Sequence, residues 1–236
     1  MIEDEIMRRM NKQIKSKERV SNHGEVFTAE REVNAMLDLV KNETERIDSR
    51  FLEPACGSGN FLIEILNRKL KTVASKYKKF QSDWERYTFI GVSSIYGVDI
   101  LEDNVLDCRE RLFEIVDKEY KKLFKENCKD EFKEVVSYLL EKNIIWGDAL
   151  TMLQVSKGNE QEPITFSEWS AINHTGIKRR DYTLSHLLET AKYDNEDQLD
   201  LFVDYDKKFD ERVKAIPRPV SEYPVTHYLK IKETSL

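Results

Sequence analysis

Cysteine is scarce and scattered in this 236-residue chain. Cys56, Cys108 and Cys128 stand at unrelated spacings, whereas a disulfide framework or a zinc site needs paired short ones. They read as reduced thiols, and no metal site is expected. No apolar run approaches the roughly 20 residues that span a bilayer, and the charged start MIEDEIMRRMNKQIKSKERV lacks the apolar core of an export signal. A cytoplasmic location with no membrane contact is expected. A basic excess is also missing: 38 Lys and Arg against 44 Asp and Glu leave a net charge of -6, the wrong sign for a surface that grips a polyanion throughout. Nucleic-acid contact must then be local or supplied by a partner. The basic stretches at 12–19, 68–79 and 178–180 read first as solvated faces. The five prolines, at 54, 163, 217, 219 and 224, include no adjacent pair.

The chain does hold an alternation of strands and helices. Its length suits one α/β domain with an irregular tail. Ile2, Ile6, Met10 and Ile14 form one stripe of a helix over residues 1 to 20. A second helix is expected after Thr28, whose hydroxyl can cap it, with Val33, Met36, Leu37 and Val40 turned inward. Phe51-Leu52 then enters a Gly-rich turn, and a helix begins near Asn60 with Phe61, Leu62, Ile65, Leu66 and Leu70 on its buried face. Ser94 to Ile100 and Asn143 to Asp148 read as buried strands that each end in an acid, separated by helices after Leu101 and over 131 to 141. This order predicts a parallel sheet with right-handed crossovers and ligand sites at the carboxyl ends of its strands. Beyond Leu153 the pattern weakens: strands are expected at 163 to 166 and 225 to 231, a helix at 180 to 190, and a solvated acidic linker between the last two.

The chemistry centres on Glu53-Pro54-Ala55-Cys56-Gly57-Ser58-Gly59-Asn60-Phe61. Gly57 and Gly59 let the backbone turn sharply and approach a ligand closely, and the helix start beyond offers free N–H groups to a polar or anionic one. A tight strand-to-helix turn with no ligand is the alternative. These residues reproduce almost letter for letter the acid-P-A-C-G-S-G-aromatic segment of the adenine-specific DNA methyltransferases of restriction-modification systems, and residues 22 to 150 resemble the cofactor-binding half of that family. The resemblance implies S-adenosylmethionine as cofactor and an α/β, Rossmann-like sheet of the class I methyltransferase type. Helices would cover both faces, with an N-terminal helical extension and an incomplete second half of the sheet. It divides the chain into an N-terminal helical region with a cofactor-covering segment (1–45), a cofactor-binding core (46–155) and an irregular C-terminal region (156–236).

By the same resemblance, Glu53 holds the methionine ammonium, with Pro54, Ala55, Gly57, Gly59, Asn60 and Phe61 as the surrounding turn. His23 to Thr28 is similar to the family's G-x-x-F-T-P segment, which folds over the methionine end, so Phe27 and Thr28 are cofactor candidates. Ala29 stands where proline is usual, which loosens that turn, and Phe27 also suits a core position. Asp99, 40 residues beyond Gly59, matches the acid that accepts from ribose hydroxyls in nucleotide-binding folds, with a helix cap as its alternative role. Asp148 resembles the acid that accepts from the adenine amino group. Ala149 follows it where a bulky apolar residue often packs on adenine, leaving Ile100 or Leu150 for that contact.

The family's catalytic [DNS]-P-P-[YFW] loop, which holds the amine of a flipped base, has no counterpart in a chain without adjacent prolines. Asn173 and His174 remain as side chains able to orient an amine, and Trp169 and Tyr182 as rings able to stack on a base. The expectation is therefore the cofactor-binding subunit of a split or heteromeric DNA adenine methyltransferase, meeting DNA through or with a partner that carries the catalytic loop and the base-reading domain. The alternatives are a catalytically silent cofactor-binding subunit for regulation or assembly, or a methyltransferase acting on RNA, protein or a small molecule. Finally, Gln198-Leu199-Asp200-Leu201-Phe202 looks like the peptide with which bacterial proteins dock on the replication sliding clamp, with Gln198, Leu199, Leu201 and Phe202 as the contacts.

Overall fold

A computed structural model describes residues 28–155, 161–188 and 218–234, and the chain divides into two compact units, 1–41 and 42–236. The expected helix over residues 1 to 20 lies outside the described residues. In the first unit, helix α1 (Glu30–Asp38) starts with two acids in its first turn, Glu30 and Glu32, where negative charge complements the helix dipole. Ala29 rather than Thr28 occupies the N-cap, its carbonyl accepting from the N–H groups of Glu32 and Val33. The helix thus begins one residue later than a Thr28 cap requires. Val33 and Leu37 are buried, whereas Met36 and Val40, expected inward, are exposed. Helix α2 (Lys41–Glu45) follows in the chain.

The second unit is built on three parallel strands: β1 (Phe51–Glu53), β2 (Ile95–Asp99) and β3 (Ile144–Asp148), with β2 central. All five residues of β2 are buried, as a parallel strand covered on both faces must be. A two-residue strand, β4 (Leu153–Gln154), runs antiparallel on β3. Among the described residues β1 pairs with β2 alone. Helix α3 (Asn60–Tyr77) buries Leu62, Ile65, Leu66, Leu70 and Val73 at helical spacing. It returns through α4 (Gln81–Ser93), antiparallel to it, with the Tyr77 and Tyr87 rings stacked at 3.5 Å. Helices α5 (Glu102–Phe124) and α6 (Asp130–Asn143) make the second crossover.

The sequence pattern did not announce α4, and the reason is its polar interior. Glu85 is wholly buried beside Trp84 and Phe89, and a carboxylate there must be partnered. Its Oε1 accepts from Gln81 at 2.9 Å and from the Tyr120 hydroxyl, and its Oε2 from Lys129 at 2.8 Å and Tyr228 at 3.0 Å.

The other face of the sheet departs from expectation. Helices on both faces were predicted, yet Tyr96, Val98 and Ile145 pack against Ile164, Phe166 and Leu184, which belong to or flank a β-hairpin. Its strands are β5 (Thr165–Ala171) and β6 (Gly176–Thr183), joined antiparallel from Thr165↔Thr183 to Ala171↔Ile177. The helix expected over 180–190 is therefore strand as far as Thr183 and helical over 184–188, where the described stretch ends. Charge at inward positions hid the period-two pattern of β6: Arg179 and Asp181 both face inward and neutralise each other through two hydrogen bonds of 2.8 and 2.7 Å. The strand expected at 225–231 shrinks to β8 (Thr226–His227), which pairs with β6 as does β7 (Ser221–Glu222); a 3-10 helix takes over from Tyr228.

One buried lysine holds the entry to β1. Lys69 of α3 is fully buried, and its ammonium donates to the carbonyls of Ile47 (2.9 Å) and Ser49 (2.5 Å) and to the Ser94 hydroxyl (2.6 Å). Three acceptors match its three protons, while burial pushes its pKa down to about 7, opposed by the Asp48 carboxylate. Lys69→Met is expected to cost about 3 kcal/mol, because three buried acceptors lose their donor; denaturant titration measures it. The unfolded chain holds this proton up to about pH 10.5, and the folded chain releases it near 7. Stability should thus rise as pH climbs through that window, and the slope should be shallower in Lys69→Met.

Candidate functional site

Parallel pairing brings three acids to the same edge of the sheet. Glu53, Asp99 and Asp148 are the last residues of β1, β2 and β3, and β2 stands between the other two. This is the carboxyl end, where open α/β sheets take their ligands.

The Gly-rich turn is held against β2 from two sides. The Cys56 N–H donates to the Val98 carbonyl at 2.9 Å, and the Gly57 N–H to the Asp99 carboxylate (Oδ2) at 2.8 Å. Gly57 and Gly59 adopt φ of 52° and 88°, the left-handed region that disfavours any side chain. Gly59 is also the N-cap of α3, and a Cβ there would stand 2.6 Å from the Cys108 sulfur. A Cβ on Gly57 would meet nothing within 4 Å, so open space lies beside the turn at that position. Pro54 and Ala55 are exposed, while Asn60 and Phe61 are half-buried in the first turn of α3. Burial raises the Glu53 pKa above the usual carboxylate value, partly offset by the Ala55 N–H. The Cys56 thiol is pushed up, first by its hydrogen bond with Cys108 and then by burial, which keeps it protonated and makes it a packing group.

Asp99 accepts three hydrogen bonds: from Gly57, from the Leu101 N–H (2.9 Å) and from Asn104 Nδ2 (3.2 Å). The local turn role and the link to the Gly-rich segment therefore coexist in one side chain. Asp148 accepts the Leu150 N–H at 2.9 Å through Oδ1. Ile100 and Leu150 are exposed beside these acids, whereas Ala149 packs into the core on the hairpin side. Thr28 belongs to the first unit, and Phe27 lies outside the described residues, as does Gln198 to Phe202.

Sequence reasoning missed a stripe on α5. Asn104, Cys108 and Arg111 recur at helical spacing and all meet the turn or its anchor: Asn104 through Asp99, Cys108 beneath Gly59, and Arg111 through the Ser58 carbonyl (2.5 Å), the Ser58 hydroxyl and Asn60 Oδ1 (both 3.1 Å). The available signal was three polar or small residues interrupting the apolar face of a helix that follows an acid-tipped strand.

The four side chains considered for base handling are not brought together at the turn. Helix α3 leaves the turn and runs 18 residues, about 27 Å, before α4 begins. Next to that far end, His174 lies 3.8 Å from Asp83, and the Asn173 carbonyl accepts from Arg86 at 3.0 Å. Trp169 is buried between Phe89 and Tyr138. Tyr182 does reach β1, lining a groove of about 270 Å³ with Phe51, Leu52, Tyr96, Phe166 and Leu187. A larger cavity of about 490 Å³ opens at the amino ends of β1 and β2, between Asp48, Arg50, Ser94 and Trp169, away from the acids. Of the basic run 178 to 180, Lys178 pairs with Glu222, Arg179 with Asp181 and Arg180 with Glu168 and Glu222, so its charge is already matched.

Among the described residues, no cluster of three or more His, Cys, Asp or Glu is placed to hold a metal ion, and no helix is long and apolar enough to cross a membrane. Comparison with characterised proteins and with solved structures finds no match. A family model does match: that of the MmeI DNA-methyltransferase domain, over residues 27–162.

Proposed function

The chain belongs to the MmeI DNA-methyltransferase domain family, whose model covers more than half of it, and on that premise we propose that it binds S-adenosylmethionine at the Glu53 to Phe61 turn as the cofactor-holding part of an adenine-specific DNA methyltransferase of the restriction-modification type. The observation that carries this reading is the convergence of three acid-tipped parallel strands on a left-handed Gly-rich turn with open space beside it at Gly57. Three carboxylates suit a ligand that carries both an ammonium and a sulfonium.

S-adenosylmethionine supplies a methyl group whose sulfonium departs as a neutral thioether. The chain's contribution is therefore placement of donor against acceptor. Glu53 accepts from the ammonium. Asp99 has about four acceptor positions, three of them used, and the fourth serves the ribose hydroxyls. The free Oδ2 of Asp148 accepts from the adenine amino group.

The acceptor base is held elsewhere. No adjacent prolines occur in the chain, and Asn173 and His174 sit at the far end of α3. A partner polypeptide supplies the base-holding loop and the base-reading surface. The test is methyl transfer from labelled S-adenosylmethionine to DNA by the full chain, alone and with a polypeptide carrying an N-P-P-aromatic loop. Transfer only by the combination is expected. Tight cofactor binding with no labelling of any nucleic acid in any combination would instead establish a silent assembly or regulatory subunit, which the placement of Asn173 and His174 also favours.

A further inference from the structure

We infer that Arg111 reads the carboxylate at the amino-acid end of the methyl donor, an assignment that rests on the cofactor reading of the Gly-rich turn. Its Nη1 donates to the Ser58 carbonyl, the Ser58 hydroxyl and Asn60 Oδ1. All three acceptors are uncharged, and Arg111 forms no ion pair with any described residue. By contrast Arg46, Arg50, Arg68, Arg179 and Arg180 each face a carboxylate. The Nε and Nη2 donors of Arg111 have no acceptor among the described residues and are not buried orphans. A half-buried guanidinium is thus fixed at the turn by one nitrogen and left with donors in a planar fork, the geometry that binds a carboxylate.

The surrounding charge explains why such a residue is needed. Glu53, Asp99 and Asp148 end the three parallel strands, and they attract the two cationic groups of the donor while repelling its carboxylate. Arg111, carried by α5 to the Ser58 to Asn60 side of the turn, offsets that repulsion at the one end where the ligand is negative. Arg111 then distinguishes amino-acid-bearing ligands from those that lack the carboxylate.

The experiment is calorimetry on the full chain with three probes: S-adenosylmethionine, its decarboxylated analogue, which keeps the sulfonium and the amine, and 5′-methylthioadenosine, which lacks the amino-acid end. The wild type should prefer S-adenosylmethionine over the decarboxylated analogue by about tenfold or more. Arg111→Met should erase that preference while the other two probes bind within about twofold of wild type. Arg111→Lys, which keeps the charge and is the milder change to the fold, should retain part of it. Equal weakening of all three probes by Arg111→Met would show that Arg111 only braces the turn and would overturn the assignment, as would no change at all. Failure of the wild type to bind any probe would end the cofactor reading itself, and this assignment with it.

Discussion

Gly59→Val is expected to abolish detectable binding of S-adenosylmethionine, a loss of more than about 100-fold, and to destabilise the fold by about 3 kcal/mol. Two effects add at this position. Gly59 sits at φ 88°, where a Cβ costs roughly 1–2 kcal/mol, and that Cβ would stand 2.6 Å from the Cys108 sulfur and 3.4 Å from its Cβ, an overlap in a packed site that costs about 1–3 kcal/mol. Relief requires the Cys108 side chain, which is itself buried and hydrogen-bonded to Cys56, to turn away, or the turn or α5 to move, and the last two displace the backbone of the proposed site. The two effects are separable by a double-mutant cycle with Gly59→Ala and Cys108→Ala. Removing the sulfur should recover about 1 kcal/mol of stability and leave the backbone strain in place. Wild-type affinity in Gly59→Val, measured by calorimetry on folded protein, would mean that the ligand binds elsewhere.

Asp99→Ala should weaken S-adenosylmethionine by about 100-fold and lower stability by about 3 kcal/mol. Asp99 is only 9% exposed, and its carboxylate accepts from Gly57, Leu101 and Asn104. Its removal strands three donors and frees the Gly-rich turn from β2 before any ligand is considered. Asp99→Asn separates the two roles. It keeps one carbonyl oxygen but turns an NH₂ group towards N–H donors, so stability should fall less than in the alanine variant while binding falls nearly as far. Thermal melts and calorimetry on the same samples report both. Unchanged affinity in a folded Asp99→Ala protein would remove Asp99 from the site and leave it as a structural brace.

Much of the stretch from residue 51 to 148 was legible because its signals are local. The turn shows itself in Glu53 to Phe61, since a left-handed backbone demands glycine and the next apolar face repeats at helical spacing. Strands β2 and β3 show themselves as short apolar runs that end in acid. Helix α4 and the C-terminal third were less legible because their charges point inward. The Arg179–Asp181 pair and the buried Glu85 imitate solvated residues in a linear reading, and only partners distant in sequence, such as Tyr138, Tyr223 and Tyr228, reveal them as interior. Arg111 escaped for a related reason: its value lies in meeting Ser58, which is 53 positions earlier in the chain.

The sequence by itself determined the turn, the helix behind it and the acids that end its strands, because backbone strain and hydrophobic periodicity are properties of adjacent residues. Only the tertiary structure decided that α5 holds the turn through Asn104, Cys108 and Arg111, and that Asn173 and His174 stand at the opposite end of α3. Strand order and helix docking fix those distances, and they arise from contacts between segments that no local pattern encodes.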